Sequence, residues 1–363
     1  MSLKGPSLKI LIINPFGIGD VLFTTPLISN IKYHDPQGFI GYLGNRRTAE
    51  FLDGYPKIDK VFVYERDEYH RLYKDSKRDF FIKFFQALAE IRRERFDVVL
   101  DLSLNGYAGF LMWLAGIKRR VGFHYKNRSL FLTTRIPLKG YEDRHVVEYY
   151  LSLLKELGME IQMTRLEFPI KPEDSQWVDQ LLHREGIGPQ DVVIGLVPGG
   201  GASWGKDAVY KQWAPQKYAK LADKMIEKFP AKIILLGDQN DSDLCRRIQG
   251  LIKGFCVDCS GRTTLGQFAA LLKRCLLNVV NDGGPLHVAV AAGAKTVSIF
   301  GPVDETVYGP YPPADTNQVH TVVKKNLACR PCYRRFRRAE CDHISCLHSI
   351  AVEDVLEKVG EIL

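Results

Sequence analysis

Three glycine-rich turns, each closing an apolar run, carry the residues of this 363-residue chain best suited to chemistry. The first is Asn14-Pro15-Phe16-Gly17-Ile18-Gly19-Asp20-Val21-Leu22. It leads from a strand-like run into a helical one, where backbone N–H groups and the helix dipole favour negative charge. Leu22 stands where the dinucleotide fingerprint needs its third glycine, and no Gly-Lys-Ser/Thr follows, so neither a fingerprint nor a P-loop is present. Asp20 is the conspicuous residue. It is either a helix cap or a general base at the carboxyl end of a strand. A helix N-terminus lowers a carboxylate's basicity but keeps it charged, which suits orienting a hydroxyl or facing a centre that gains positive charge. Pro26 lies too deep for an undisturbed helix from Asp20, so the helix either kinks there or begins near Thr25.

The second turn is Asn281-Asp282-Gly283-Gly284-Pro285-Leu286-His287, followed by the small helical run VAVAAGA. Its glycines allow close backbone approach and its exposed amides suit a diphosphate. His287 falls about one helical turn further on. The third turn, Pro198-Gly199-Gly200-Gly201-Ala202-Ser203, precedes Lys206 and Lys211, either of which can face a phosphate as a point charge. Two such turns in the second half make a nucleotide-diphosphate site there the economical reading, with Gly199, Gly200, Ser203, Lys211, Asp282, Gly283, Gly284 and His287 as donor-binding candidates.

Two further groups have chemical character. Arg66, Arg71, Lys74, Lys77 and Arg78 precede the run Phe80-Phe81-Ile82, and Arg119, Arg120, Lys126 and Arg128 form a second basic group. Arg71, Lys74 and Arg120 are candidates for an anionic acceptor, against the plainer reading of a solvated charged face. Phe80–Phe85 reads as a core helix face rather than a lipid anchor. The cysteines Cys329, Cys332, Cys341 and Cys346 could hold zinc, with His343 or His348 as substitutes, but their spacing matches no standard zinc ribbon. Reduced structural thiols are the favoured reading.

The elements that position these residues follow a regular rhythm. Apolar runs at 9–14, 39–43, 60–64, 96–103 and 120–123 alternate with helical stretches at 80–93 and 106–116, the pattern of parallel strands and crossover helices. After a helical stretch at 145–157 the rhythm pauses near 166–172. It restarts with strands at 191–198, 232–237, 277–282 and 296–300, separated by helices at 215–229, 241–252 and 265–274. Two α/β domains are expected, over residues 1–170 and 171–350, with a closing helix at 351–363 and a ligand cleft at the strands' carboxyl ends. The 50 basic and 42 acidic residues give a charge of +8, which favours anionic partners. It falls short of the basic stripe of a nucleic-acid binder. No run reaches the ~18 apolar residues of a membrane span, and the first residues do not read as a signal peptide. A cytoplasmic enzyme is expected.

In this order, NPFGIGDVLFTTPLISNIK, VPGG with KQW, and NDGGPLHVAVAAGAKTVSIFGP resemble glycosyltransferase family 9, the lipopolysaccharide heptosyltransferases. The resemblance covers essentially the whole chain. It implies a GT-B architecture of two facing Rossmann-like domains, acceptor on the amino-terminal side and donor on the carboxyl-terminal side. It also implies inverting transfer of heptose from ADP-heptose to the lipid A inner core. On these matches Asp20 is the catalytic base, Asp282, Gly283, Gly284 and His287 form the donor-diphosphate turn, and Lys211 of KQW is the donor lysine. The family usually has Thr or Ser where Gly283 stands. The implied partners are a nucleotide sugar and a phosphorylated lipid-linked saccharide at the inner membrane leaflet. No carboxylate cluster suggests a metal, so lysine and backbone dipoles would do the work of Mg²⁺, without a cofactor. The alternatives are a related transferase using another nucleotide sugar and a non-catalytic nucleotide-sugar binder. A Rossmann oxidoreductase is disfavoured by the missing third glycine.

Overall fold

The computed structural model describes residues 7–312 and 319–363, with backbone alone for Ala202, Ser203 and Lys206. Its contacts divide the chain into two units. The first holds residues 7–141 and 146–164, and the second holds Glu142–His145 with the chain from Arg165 onward.

The first unit carries strands β1 (Lys9–Ile13), β2 (Phe39–Gly44), β3 (Lys60–Val63), β4 (Val98–Asp101), β5 (Arg119–His124) and β6 (Thr134–Pro137). The second carries β7 (Val193–Val197), β8 (Lys232–Leu235), β9 (Cys256–Asp258), β10 (Leu277–Asn281), β11 (Thr296–Ile299) and β12 (His320–Val323). The sheet orders are β3-β2-β1-β4-β5-β6 and β12-β11-β10-β7-β8-β9. Every ladder in both sheets is parallel. Counted within its own unit, the second order is the first repeated: 3-2-1-4-5-6, the doubly wound Rossmann arrangement. In each, strand order reverses between the first and fourth strands, and ligands of such folds bind beyond the carboxyl ends at that reversal. Two Rossmann-like units in one chain are the GT-B class of α/β fold.

All nine expected strands form, with ends shifted by one or two residues. The three unforeseen ones, β6, β9 and β12, are sheet edges. An edge strand is covered by fewer neighbours and needs less apolar sequence, so TRIP, CVD and HTVV gave a weak signal. The closing helix Val352–Ile362 joins the second unit, where Val352, Val355 and Val359 pack with Trp213, Tyr218 and strands β7, β8, β10 and β11. Among the described residues no helix is long and apolar enough to cross a membrane.

One expectation is corrected. The helix Lys77–Glu94 turns Leu88 and Ile91 to the core of the first unit, but Phe81, Ile82 and Phe85 point outward, 49%, 45% and 58% exposed. At 100° per residue, the apolar positions of FFIKFF cover more of the helix circumference than one sheet face can bury.

Candidate active site

In the first unit the turn after β1 is fixed by amide side chains. Asn14 Nδ2 donates to the main-chain O of Asp20 (3.0 Å) and Asn14 Oδ1 accepts from Phe16 N (3.2 Å). Asn45 Nδ2 donates to the carbonyls of Pro15 (3.0 Å) and Phe16 (2.5 Å). Gly17, not Asp20, occupies the cap position of the short helix Ile18–Leu22, and Asp20 sits within its first turn. A second helix, Thr25–His34, starts afresh with Pro26 in its first turn, the second of the two expected arrangements. Asp20 is half-buried. Its charge bears on the hydroxyls of Tyr42, Tyr141 and Tyr150, which burial holds far above the usual phenol range. Three neutral phenols therefore lie within the electrostatic reach of the carboxylate, and none of them ionises in its place.

A second carboxylate lies at the same reversal. Asp101 ends β4, beside β1, with Ile13 as its register partner. Its Oδ1 accepts from Ser103 N (2.9 Å) and Ser103 Oγ (2.6 Å). Burial pushes its pKa up to about 6, partly offset by those two bonds. Neither Asp101 nor the tyrosine group was foreseen. For Asp101 the signal was present, an aspartate closing an apolar run, which is what marked Asp282. Nothing local marked the tyrosines, which come from well-separated segments.

In the second unit the turns after β7 and β10, adjacent strands, lie against each other. A Cβ on Gly201 would stand 3.5 Å from Gly284 N, and one on Gly283 would stand 3.1 Å from Gly200 O. Gly283 has φ +150°, a conformation L side chains rarely adopt, so glycine suits the turn as it is built here. Gly199 and Gly200 are closely packed by the protein itself. Added Cβ atoms would run into the Asp241 carboxylate (2.4 Å) and Ala208 O (2.3 Å), so these glycines make room for the protein's own groups. Asn281 ties the turns together, donating from Nδ2 to Pro198 O (2.7 Å) and accepting at Oδ1 from the Tyr218 hydroxyl (3.0 Å).

Lys211 and Asp282 form a buried ion pair, Nζ to Oδ2 2.9 Å, with side chains 7% and 3% exposed. The Trp204 ring lies 4.2 Å from the Lys211 ammonium, a cation–π contact on top of the ion pair. His287 is buried beside them. Burial first, then the charges of His145 and Lys211, hold its pKa well below the usual value. His145, which the sequence placed only at a helix start, donates from Nε2 to Gly309 O (3.1 Å), and burial lowers its pKa to about 4. The structure thus brings Lys211, Asp282, Gly283, Gly284 and His287 together, and adds His145. The Ser203 and Lys206 side chains lie outside the described ones.

A histidine kept neutral by the fold stabilises it fully above the unfolded value near 6.5, and that contribution is lost as pH falls toward the folded value. For His145 the window is pH 6.5 to about 4, with a limit of about 3 kcal/mol for a shift of that size. Thermal melts across this window are expected to fall more steeply for the native chain than for His145→Gln, which retains an N–H for Gly309 O. Parallel curves for the two proteins would remove His145 from the acid response.

The other candidates are placed elsewhere. Arg71 and Lys74 are exposed on the helix Arg66–Asp75. Arg120 spends its guanidinium on carbonyls, Nε donating to Phe131 O (2.5 Å) and Nη1 to Ile117 O and Lys118 O. The first bond ties β5 to the connection before β6, and the others tie it to the segment that precedes β5, so Arg120 has a structural task in its own unit. The eight cysteines are all free. Burial first, and then Cys332, Cys341 and Cys329 nearby, raise the pKa of Cys346. Among the described residues, however, no three His, Cys, Asp or Glu side chains are arranged to hold a metal ion. The cysteines flank a small hairpin, Tyr333–Arg334 with Arg337–Arg338. It packs on the donor-side segment, Tyr333 against Trp204 (centroids 5.0 Å) and Arg338 over the Tyr210 ring (3.6 Å). The thiol segment thereby supports the loop that carries Lys211.

Two Rossmann-like units, each with a polar glycine-rich turn at its strand-order reversal, give this chain the GT-B fold. The family model of glycosyltransferase family 9 (heptosyltransferase) matches residues 83–343. The chain belongs to this family and is a glycosyltransferase. It is 24% identical to lipooligosaccharide heptosyltransferase 2 of Haemophilus influenzae, covering 98% of this chain and 99% of that one. Its fold is similar to that of the family 9 glycosyl transferase from Veillonella parvula, with TM-score 0.78 at 21% identity, covering 98% and 97% of the two chains. It is also similar to Escherichia coli ADP-heptose lps heptosyltransferase II, with TM-score 0.73 at 20% identity and 98% of both chains covered.

Proposed function

We propose that the protein transfers heptose from ADP-heptose, with inversion, to a hydroxyl of a phosphorylated, lipid-linked saccharide of the lipid A inner core, at the cytoplasmic face of the membrane. The observation that carries this reading is the buried Lys211–Asp282 pair beside neutral His287, at the strand-order reversal of the second unit. The named relatives, lipooligosaccharide heptosyltransferase 2 and ADP-heptose lps heptosyltransferase II, supply the sugar and the acceptor class.

In this reading Asp20 accepts the proton of the acceptor hydroxyl, whose oxygen forms a bond to the anomeric carbon while the bond to the diphosphate oxygen breaks. The sugar passes through oxocarbenium character, as in glycoside hydrolysis. ADP departs with the electron pair, and Lys211 with the amides at Gly283 and Gly284 stabilises the charge it gains. A neutral His287 can donate one hydrogen bond to a diphosphate oxygen at no cost in deprotonation. The pairing with Asp282 also matters before the donor arrives: it keeps a buried ammonium satisfied and aimed at one place.

Calorimetric titration with ADP, ADP-heptose, UDP-glucose and GDP-mannose tests the donor. ADP-heptose is expected to bind best, and His287→Ala to weaken it about tenfold, one charge-assisted hydrogen bond. Preference for UDP or GDP would replace the substrate but leave a transferase. Absence of binding to all four would sink the donor assignment.

A further inference from the structure

We propose that the outer face of the helix Lys77–Glu94, with the end of the helix before it, is a docking surface for an anionic lipid bilayer. The inference rests on the reading of the acceptor as lipid-linked. Phe81, Ile82 and Phe85 are 49%, 45% and 58% exposed, with Phe85 one turn after the neighbouring Phe81 and Ile82, and the Phe81 and Phe85 rings stack at 6.3 Å. Tyr73, also 49% exposed, extends the patch through Phe80, whose ring centroid lies 5.2 Å away. Exposed apolar residues scattered singly are ordinary, but a contiguous aromatic ridge rimmed by charge marks an interaction surface.

The charge at its rim selects the occupant. Lys77 and Arg78, both exposed, lie one turn before Phe81 and Ile82 on the same ridge, and Lys74 lies exposed at the end of the preceding helix. Between Arg71 and Lys83 there are five cations and two acids, Asp75 and Asp79, a local charge of +3. Of the five, Lys83 turns inward to Glu68. An aromatic and aliphatic ridge with lysine and arginine at one end is the composition of a helix lying in a membrane interface, rings among the acyl chains and cations at the headgroups. Anionic lipid supplies the counter-charge that this end lacks. The inward face, held by Leu88 and Ile91, anchors the helix to the sheet, so the ridge is presented on a rigid element.

The experiment is sedimentation of the full chain with large unilamellar vesicles of phosphatidylglycerol and phosphatidylethanolamine, against pure phosphatidylcholine. The native chain is expected to bind the anionic vesicles at least tenfold better than the neutral ones, less well as salt rises. Phe81→Ser/Phe85→Ser and, separately, Lys77→Gln/Arg78→Gln are each expected to lower that binding tenfold or more. Both pairs are exposed, so their melting temperatures should match the native protein's, and a circular dichroism melt checks this. Equal sedimentation of native and substituted chains would overturn the proposal. So would light scattering that shows a dimer broken by Phe81→Ser/Phe85→Ser, because the ridge would then belong to a second copy. The ADP-heptose titration of the same variants separates the two readings. Lipid binding with no ADP-heptose binding would retire the ADP-heptose assignment and keep the docking face, and the reverse would do the opposite.

Discussion

Asp20→Asn is expected to lower turnover by about 10²- to 10⁴-fold, the usual contribution of a positioned general base, while ADP-heptose binding stays within twofold of the native value. The substitution is suited to the question because the main chain also holds the turn and the amide keeps the shape of the carboxylate. Asn14 holds residue 20 through its main-chain oxygen, and Gly17 holds the cap position, so an isosteric amide leaves both in place. What changes is the capacity to take a proton. The amide also removes the negative charge that faces a reacting sugar, so the loss should fall on kcat more than on KM. The three phenols around residue 20 cannot substitute as bases, since burial holds each of them protonated. Turnover within tenfold of native would mean that the base lies elsewhere, and Asp101 would be the next carboxylate to replace. Loss of donor binding together with turnover would mean that the turn is structural rather than chemical.

Much of this arrangement was legible before any coordinates, for reasons that differ from residue to residue. Strands such as KILII and LNVVN are covered on both faces, so burial writes itself into an unbroken apolar run. The turns after them were legible because a glycine-rich, polar segment between strand and helix has few purposes. Edge strands lacked that signal, and so did the tyrosines around Asp20, since Tyr42, Tyr141 and Tyr150 meet only through the fold. The glycines show the limit of reading by type. Gly283 adopts φ +150°, as a turn glycine can, while Gly199 and Gly200 also yield space to Asp241 and Ala208, which residue type alone does not reveal. Arg120 looked like a surface cation because sequence gives charge without direction, and its Nε and Nη1 in fact donate to carbonyls of its own unit. The Phe80–Phe85 run misled for a similar reason. Hydrophobicity predicts that a residue prefers burial, not that the sheet beneath has room for it.

The ion pair at the second strand-order reversal gives the other large expected effect, and it needs two variants to be read. Lys211→Met leaves the Asp282 carboxylate buried without its cation, so a loss of about 3–5 kcal/mol in stability is expected along with lost activity. That single result could not separate folding from chemistry. Lys211→Met/Asp282→Asn removes both charges from the same volume, and replacing a buried pair by neutral groups is often close to neutral for stability. The double variant is therefore expected to melt within a few degrees of the native protein, with the introduced thioether still against the Trp204 ring. Its kcat/KM should nonetheless remain down by about 10²- to 10³-fold, the usual effect of removing one group that stabilises developing charge. The reason is that the departing diphosphate gains charge only as the sugar leaves, and no neutral side chain at position 211 can meet it. Recovery of activity together with stability would assign Lys211 to holding the two turns in place. Recovery of stability alone would assign it to the leaving group.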